Sequence, residues 1–142
     1  MPHVVRSALM PYAAERMFAL VDDVERYPEF LPWCERAEVL SRDDGVVVAA
    51  LTLARAGFRH RLVTRNSRAV PERIGLELVD GPFRRFAGGW TFTRLSADGC
   101  KVELELDFEF VRGLPKPMFA PFFTKAAGTL VDAFCKRARA RG

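Results

Sequence analysis

Hydrophobic positions change their period twice along this chain, and the changes divide it into three stretches. His3–Met10 reads as a strand that Pro11 closes, and from Ala14 the apolar residues fall at 14, 17, 18, 21 and 24, the stripe of a short amphipathic helix. Pro28 and Pro32 then break the chain, leaving a helical turn over 26–31. From Ala37 the texture is that of strands, predicted over about 37–42, 46–56, 58–66, 73–79, 84–95 and 100–111. Asp43-Asp44-Gly45 and Asp98-Gly99 read as hairpin turns with positive φ, and Asp80-Gly81-Pro82 as a further turn. The last strand is the clearest: Val102, Leu104, Leu106, Phe108 and Phe110 alternate with Glu103, Glu105, Asp107 and Glu109. After Gly113 the period lengthens. Phe119, Phe122, Phe123, Ala126, Ala127, Leu130, Val131, Phe134, Cys135 and Ala138 mark one long helix, whose start Pro115, Pro117 and Pro121 make irregular.

This order predicts an α+β helix-grip fold. A curved antiparallel seven-stranded sheet wraps around the long C-terminal helix, with two short helices after the first strand. The 142 residues suit one domain, 1–142, with one core. The longest apolar run, 46–54, is about half the roughly 20 residues a bilayer span needs, and the N-terminus shows no export signal. Cys34, Cys100 and Cys135 are odd in number and far apart, which points to reduced thiols and a cytoplasmic protein.

The net charge of +4 is unevenly placed: residues 112–142 hold Arg112, Lys116, Lys125, Lys136, Arg137, Arg139 and Arg141 against Asp132 alone. Cations complement a helix C-terminus, which explains this end without a partner. The alternative is an RNA or anionic-membrane contact, for which Lys136, Arg137 and Arg139 are candidates. Arg59, Arg61 and Arg65 join them, because they share one parity of a strand, have no evident local partner and should project together.

Catalytic chemistry finds little support. His3 sits at the terminus, and His60 shares strand parity with Phe58 and Leu62, so a partly buried, hydrogen-bonded imidazole is its expected state. No spacing suits a metal, no glycine cluster forms a phosphate loop, and the alternating acidic row on the last strand is a solvated face. No catalytic residue, metal or required cofactor is predicted.

Apolar residues do occur in unusual places. Tyr27-Pro28-Glu29-Phe30-Leu31-Pro32-Trp33-Cys34 puts three aromatic rings into a proline-broken connection, and Leu114, Met118 and Phe119 lie in the other. Loops rich in apolar side chains cover something. Ala126, Ala127 and Gly128 suggest space along the gripping face of the long helix. A dry hollow large enough for an isoprenoid chain is therefore expected between helix and sheet. Its candidate lining from the first half of the chain is Phe30, Leu31, Trp33, Leu51 and Phe58. From the second half come Phe83, Trp90, Phe92, Met118, Phe122 and Phe123.

Several stretches carry a resemblance. Arg6…Ala8-Leu9…Pro11-Tyr12, Tyr27-Pro28…Phe30-Leu31-Pro32…Cys34, Thr64-Arg65-Asn66, Leu78-Val79-Asp80-Gly81-Pro82-Phe83 and Gly88-Gly89-Trp90…Phe92 are similar to the bacterial ribosome-association toxins. These are close relatives of the mitochondrial coenzyme Q-binding proteins. The resemblance implies the START-like fold of the polyketide cyclase/dehydrase superfamily. It also implies one of two activities: binding ubiquinone or a related polyprenyl quinone in support of respiration, or binding the large ribosomal subunit and blocking subunit association. A cyclase-type enzyme is the third alternative, with His60 the residue to inspect. No DNA partner and at most a peripheral membrane contact are expected. The chain departs from the resemblance in its prolines at 115, 117 and 121 and in Ala13, where a capping Ser is usual.

Overall fold

Strand β1 (His3–Met10) leads to helix α1 (Ala14–Asp22) and a 3-10 helix over Val24–Glu29. Six strands follow: β2 (Cys34–Asp43), β3 (Val46–Arg55), β4 (Phe58–Ala69), β5 (Arg73–Asp80), β6 (Phe83–Ser96) and β7 (Gly99–Phe110). Helix α2 (Phe119–Ala140) completes the order. The computed structural model describes residues 3–55, 58–112 and 119–141. All seven strands join one antiparallel sheet in the order β1-β7-β6-β5-β4-β3-β2, and the sheet curves around α2. The first strand thus returns to pair with the last, Val4 opposite Leu106 and Met10 opposite Cys100.

Each element buries the stripe its sequence carries. Ala14, Met17, Phe18 and Val21 of α1 and Val24 after it are buried, and so are Val102, Leu104, Leu106 and Phe108 of β7. The acidic residues of β7 face outward and find cross-strand cations: Asp107 meets Arg85 at 2.9 Å and Glu109 meets Arg84 at 3.6 Å. Helix α2 buries Phe119, Phe123, Ala127, Val131, Phe134 and Ala138 against the concave face. Gly88 and Gly89 allow β6 to sit between its neighbours. A Cβ on Gly88, whose φ is +152°, would lie 2.0 Å from the Glu105 carbonyl oxygen.

The structure departs from expectation at several points. β2 starts at Cys34 rather than 37, because bulges at Cys34/Arg36 and Val39/Ser41 break the alternation by which a strand is recognised. β4 runs on to Ala69, where Ser67–Ala69 continue its pairing with β5. The helical turn spans Val24–Glu29, two residues early. Gly45 has the expected positive φ (+73°), but Gly99 does not, since the turn lies at residues 97–98 and Gly99 already begins β7. Gly128 does not open onto a hollow: it faces the Arg6 guanidinium of β1, which a Cβ there would meet in ordinary contact at 3.4 Å. Ala127 is simply core.

Candidate functional site

Between α2 and the concave face of the sheet lies an apolar cavity of about 80 Å³. Its floor comes from β3 to β7, including Ala49, Leu51, Leu62, Trp90 and Leu104, and its roof from Phe123, Leu130 and Phe134 of α2. Tyr27, Leu31 and Trp33 close one side, so the proline-broken connection covers the hollow. This strap is pinned at three places. Arg68 of β4 grips Asp22 through two hydrogen bonds of 2.7 and 2.8 Å, with both side chains about four-fifths buried. The Tyr27 hydroxyl donates to the Val21 carbonyl, and its ring meets Phe134 edge-on at 5.2 Å. Arg137 of α2 pairs with Glu29 and lies over the Phe30 ring at 4.9 Å. The Arg137 hydrogen bond holds the Glu29 carboxyl below its ordinary range.

Of the expected lining residues, Leu31, Trp33, Leu51, Trp90 and Phe123 border this cavity. The others are placed elsewhere, and Met118 lies outside the described residues. Phe92 turns toward α1 and packs on Phe18 at 5.6 Å. Phe30 sits outside Phe134, under Arg137. Phe58, Phe83 and Phe122 belong to a filled aromatic end, where Phe83 meets Phe123 at 4.8 Å and Phe58 meets Phe122 at 5.0 Å. The hollow is also smaller than expected. Apolar cavities that admit benzene measure about 150 Å³, so an isoprenoid chain does not fit without movement of a wall. Trp33 is that wall's outer member. It borders both the cavity and a surface groove shared with Arg55, Phe122 and Lys125, where the Arg55 guanidinium lies 5.4 Å from the Phe122 ring centre.

Most of the remaining lining residues are core aliphatics and aromatics outside the expected set, such as Ala49, Leu62, Leu104 and Phe134, and two are polar. Thr64 and Asn66 are polar positions on the inward parity of β4, after Leu62, and that mismatch was the available signal. Asn66 is buried, and the Thr64 hydroxyl donates to its Oδ1 at 2.7 Å.

Among the described residues no uncommitted acid or base lines the hollow. Burial pushes the Tyr27 phenol well above its ordinary range, and its proton is committed to Val21. His60 is not a cavity residue. It is stacked on Phe58 and lies 4.4 Å from the Phe119 ring, its pKa lowered by desolvation. The expected hydrogen bond is missing at its Nε2, which is buried with no partner among the described residues. The three cysteines are free and buried, and burial raises all three thiols, Cys34 to about 11. Among the described residues no cluster of three metal-ligating side chains exists and no helix is long and apolar enough to cross a membrane.

The arginine row also needs correction. Carboxylates reach it from β5 beside it and from β2 beyond β3: Arg59 pairs with Glu35 at 2.8 Å and Arg65 with Glu77 at 3.3 Å. Arg61, Lys136 and Arg139 have no ion-pair partner among the described residues.

The family model for polyketide cyclase/dehydrase and lipid transport proteins matches residues 10–135. The chain belongs to this family. Within it, the chain is 44% identical to the ribosome association toxin RatA of Pseudomonas aeruginosa, over 96% of this chain and 95% of that protein. It is 28% identical to the mitochondrial coenzyme Q-binding protein of Schizosaccharomyces pombe, over 94% of this chain and 84% of that one. Its fold is that of the Zhui aromatase/cyclase from Streptomyces sp. R1128, with a TM-score of 0.85 at 20% identity, covering 98% of this chain and 94% of that one. The family's fold is thus shared by proteins named for a toxin, a quinone binder and a cyclase.

Proposed function

We propose that this protein binds a hydrophobic lipid, ubiquinone or a related polyprenyl quinone, in the cavity under α2, without catalysing a reaction, and so supports respiration. The observation that carries the reading is the apolar hollow itself, closed by a strap rather than by the sheet. A well-packed interior leaves few voids larger than a water molecule, and a void costs dispersion contacts, so a retained hollow calls for an occupant. The ligand ring takes the hollow as Trp33 and its strap move outward, and the prenyl tail leaves along the groove beside Phe122. Each five-carbon unit buried there contributes about 3–4 kcal/mol gross, enough to hold the strap displaced. The relative named as a coenzyme Q-binding protein supports this choice of ligand. The absence of an uncommitted acid or base among the described lining residues supports a binding role. Organic extraction and mass spectrometry of purified protein should recover quinone, and added quinone should raise the melting temperature. Empty extracts together with an unchanged melting temperature would refute the reading.

A second reading is favoured by the names of relatives at 44% and 42% identity, which are ribosome association toxins. It assigns binding to the large ribosomal subunit through exposed cations, now reduced to Arg61, Lys136 and Arg139. These lie on opposite layers, the outer face of the sheet and the outer face of α2, so a single RNA patch would draw on only one set. On this reading, added protein at low salt shifts ribosomes toward separate subunits, and the effect fades steeply with salt. An unchanged sedimentation profile at low salt excludes it. The two activities are compatible, because they use different surfaces.

A further inference from the structure

Asn66 is the single buried polar side chain in the core of the described residues. It stands on β4 opposite Val47 and Leu76, and it lines a cavity whose other walls are almost wholly hydrocarbon. Burying an amide there is unfavourable unless its hydrogen bonds are made. Thr64 supplies one, donating to Oδ1 at 2.7 Å, and that bond turns the amide N–H groups toward other acceptors. The described residues offer those N–H groups no side-chain acceptor. The Tyr27 hydroxyl is committed to the Val21 carbonyl, and the indole N–H groups of Trp33 and Trp90, which also border the cavity, are donors and give the amide no acceptor.

We infer that Asn66, oriented by Thr64, is the recognition donor of the cavity and selects ligands that present a ring carbonyl. The inference rests on the lipid-binding reading and sharpens it. The site takes a carbonyl-bearing ring, as in a quinone, in preference to an equally apolar ring without oxygen. A ligand lacking the acceptor leaves the buried amide unpaired, and that asymmetry gives discrimination beyond what apolar area provides.

The experiment is calorimetric titration of the intact chain with two ligands, a short-chain ubiquinone and a benzene carrying the same prenyl tail but no ring oxygens. The wild type should bind the quinone about tenfold more tightly, equivalent to about 1.4 kcal/mol. Asn66→Leu should abolish this preference by weakening the quinone while leaving the hydrocarbon unchanged. Thr64→Val keeps the shape of the strand and frees the amide to rotate, so it should reduce the preference by a smaller factor. Equal binding of both ligands by the wild type, or an undiminished preference in Asn66→Leu, overturns the role of Asn66 while the lipid-binding reading stands. Failure of both ligands to bind wild type overturns the two together. Should circular dichroism show Asn66→Leu unfolded, Thr64→Val decides, and an unchanged preference there rejects the inference.

Discussion

The two ends of the space under α2 are built from the same inward parity of the same strands, yet one is full and the other hollow. At the full end, Phe83, Phe108, Phe110 and Phe123 interlock with centroids 4.8–6.2 Å apart, stacked between Phe83 and Phe110 and edge-to-face in the other pairs. At the hollow end the inward positions carry Ala49, Thr64, Asn66 and several leucines, and one side is closed by a strap pinned by ion pairs. Rings of about 5 Å spacing fill a curved interior, whereas an Ala opposite a helix does not. Hydrophobic pattern fixes which face is buried; side-chain volume, position by position, decides whether the space beneath it closes.

That contrast can be broken by substitution. Phe108→Ala removes a fully buried ring from the filled end and should lower stability by about 3–5 kcal/mol in urea unfolding. A loss below about 1 kcal/mol would mean that end is not close-packed. Arg68→Ala strips Asp22 of its double hydrogen bond at the root of the strap and should cost about 1–3 kcal/mol. Hydrogen exchange should accelerate in residues 22–31 before the rest of the chain; uniform acceleration would show that the strap is not a separable unit. Ala49→Ile reverses the sign, because its added carbons enter empty space: stability should rise by about 0.5–2 kcal/mol, and a loss would show that the hollow is already closed.

The smallest effect is a pH dependence at the filled end. Desolvation holds the folded-state pKa of His60 below its ordinary 6.5, so the unfolded chain takes up a proton there first as pH falls. The contribution of neutral His60 is fully present above pH 6.5 and declines as pH drops through the interval down to the folded-state value. Comparison of wild type with His60→Phe should show this slope only in the wild type. An identical slope in both would place the imidazole in water.

Most of the fold was legible in the alternation of β7 and the stripes of α1 and α2, because each is a one-dimensional signal of a buried face. The site was legible only in part, for three-dimensional reasons. Leu31 and Trp33 could be read from an apolar loop, but the direction in which Phe92 or Phe83 looks depends on where α1 and α2 cross the sheet. The pairing of Arg59 and Arg65 depends on β2 and β5 lying beside β3 and β4, which no local pattern records. Asn66 was visible as a polar residue at an inward position, yet its meaning depended on the cavity around it.

Both tryptophans of the chain, Trp33 and Trp90, border the hollow, so a quinone seated there must quench the intrinsic fluorescence. Titration with a short-chain ubiquinone should give saturable quenching in the wild type, with affinity at least about tenfold weaker in Ala49→Ile, where the space is filled. Quenching that rises without saturation and is identical in the two proteins would contradict the claim that this cavity is the binding site.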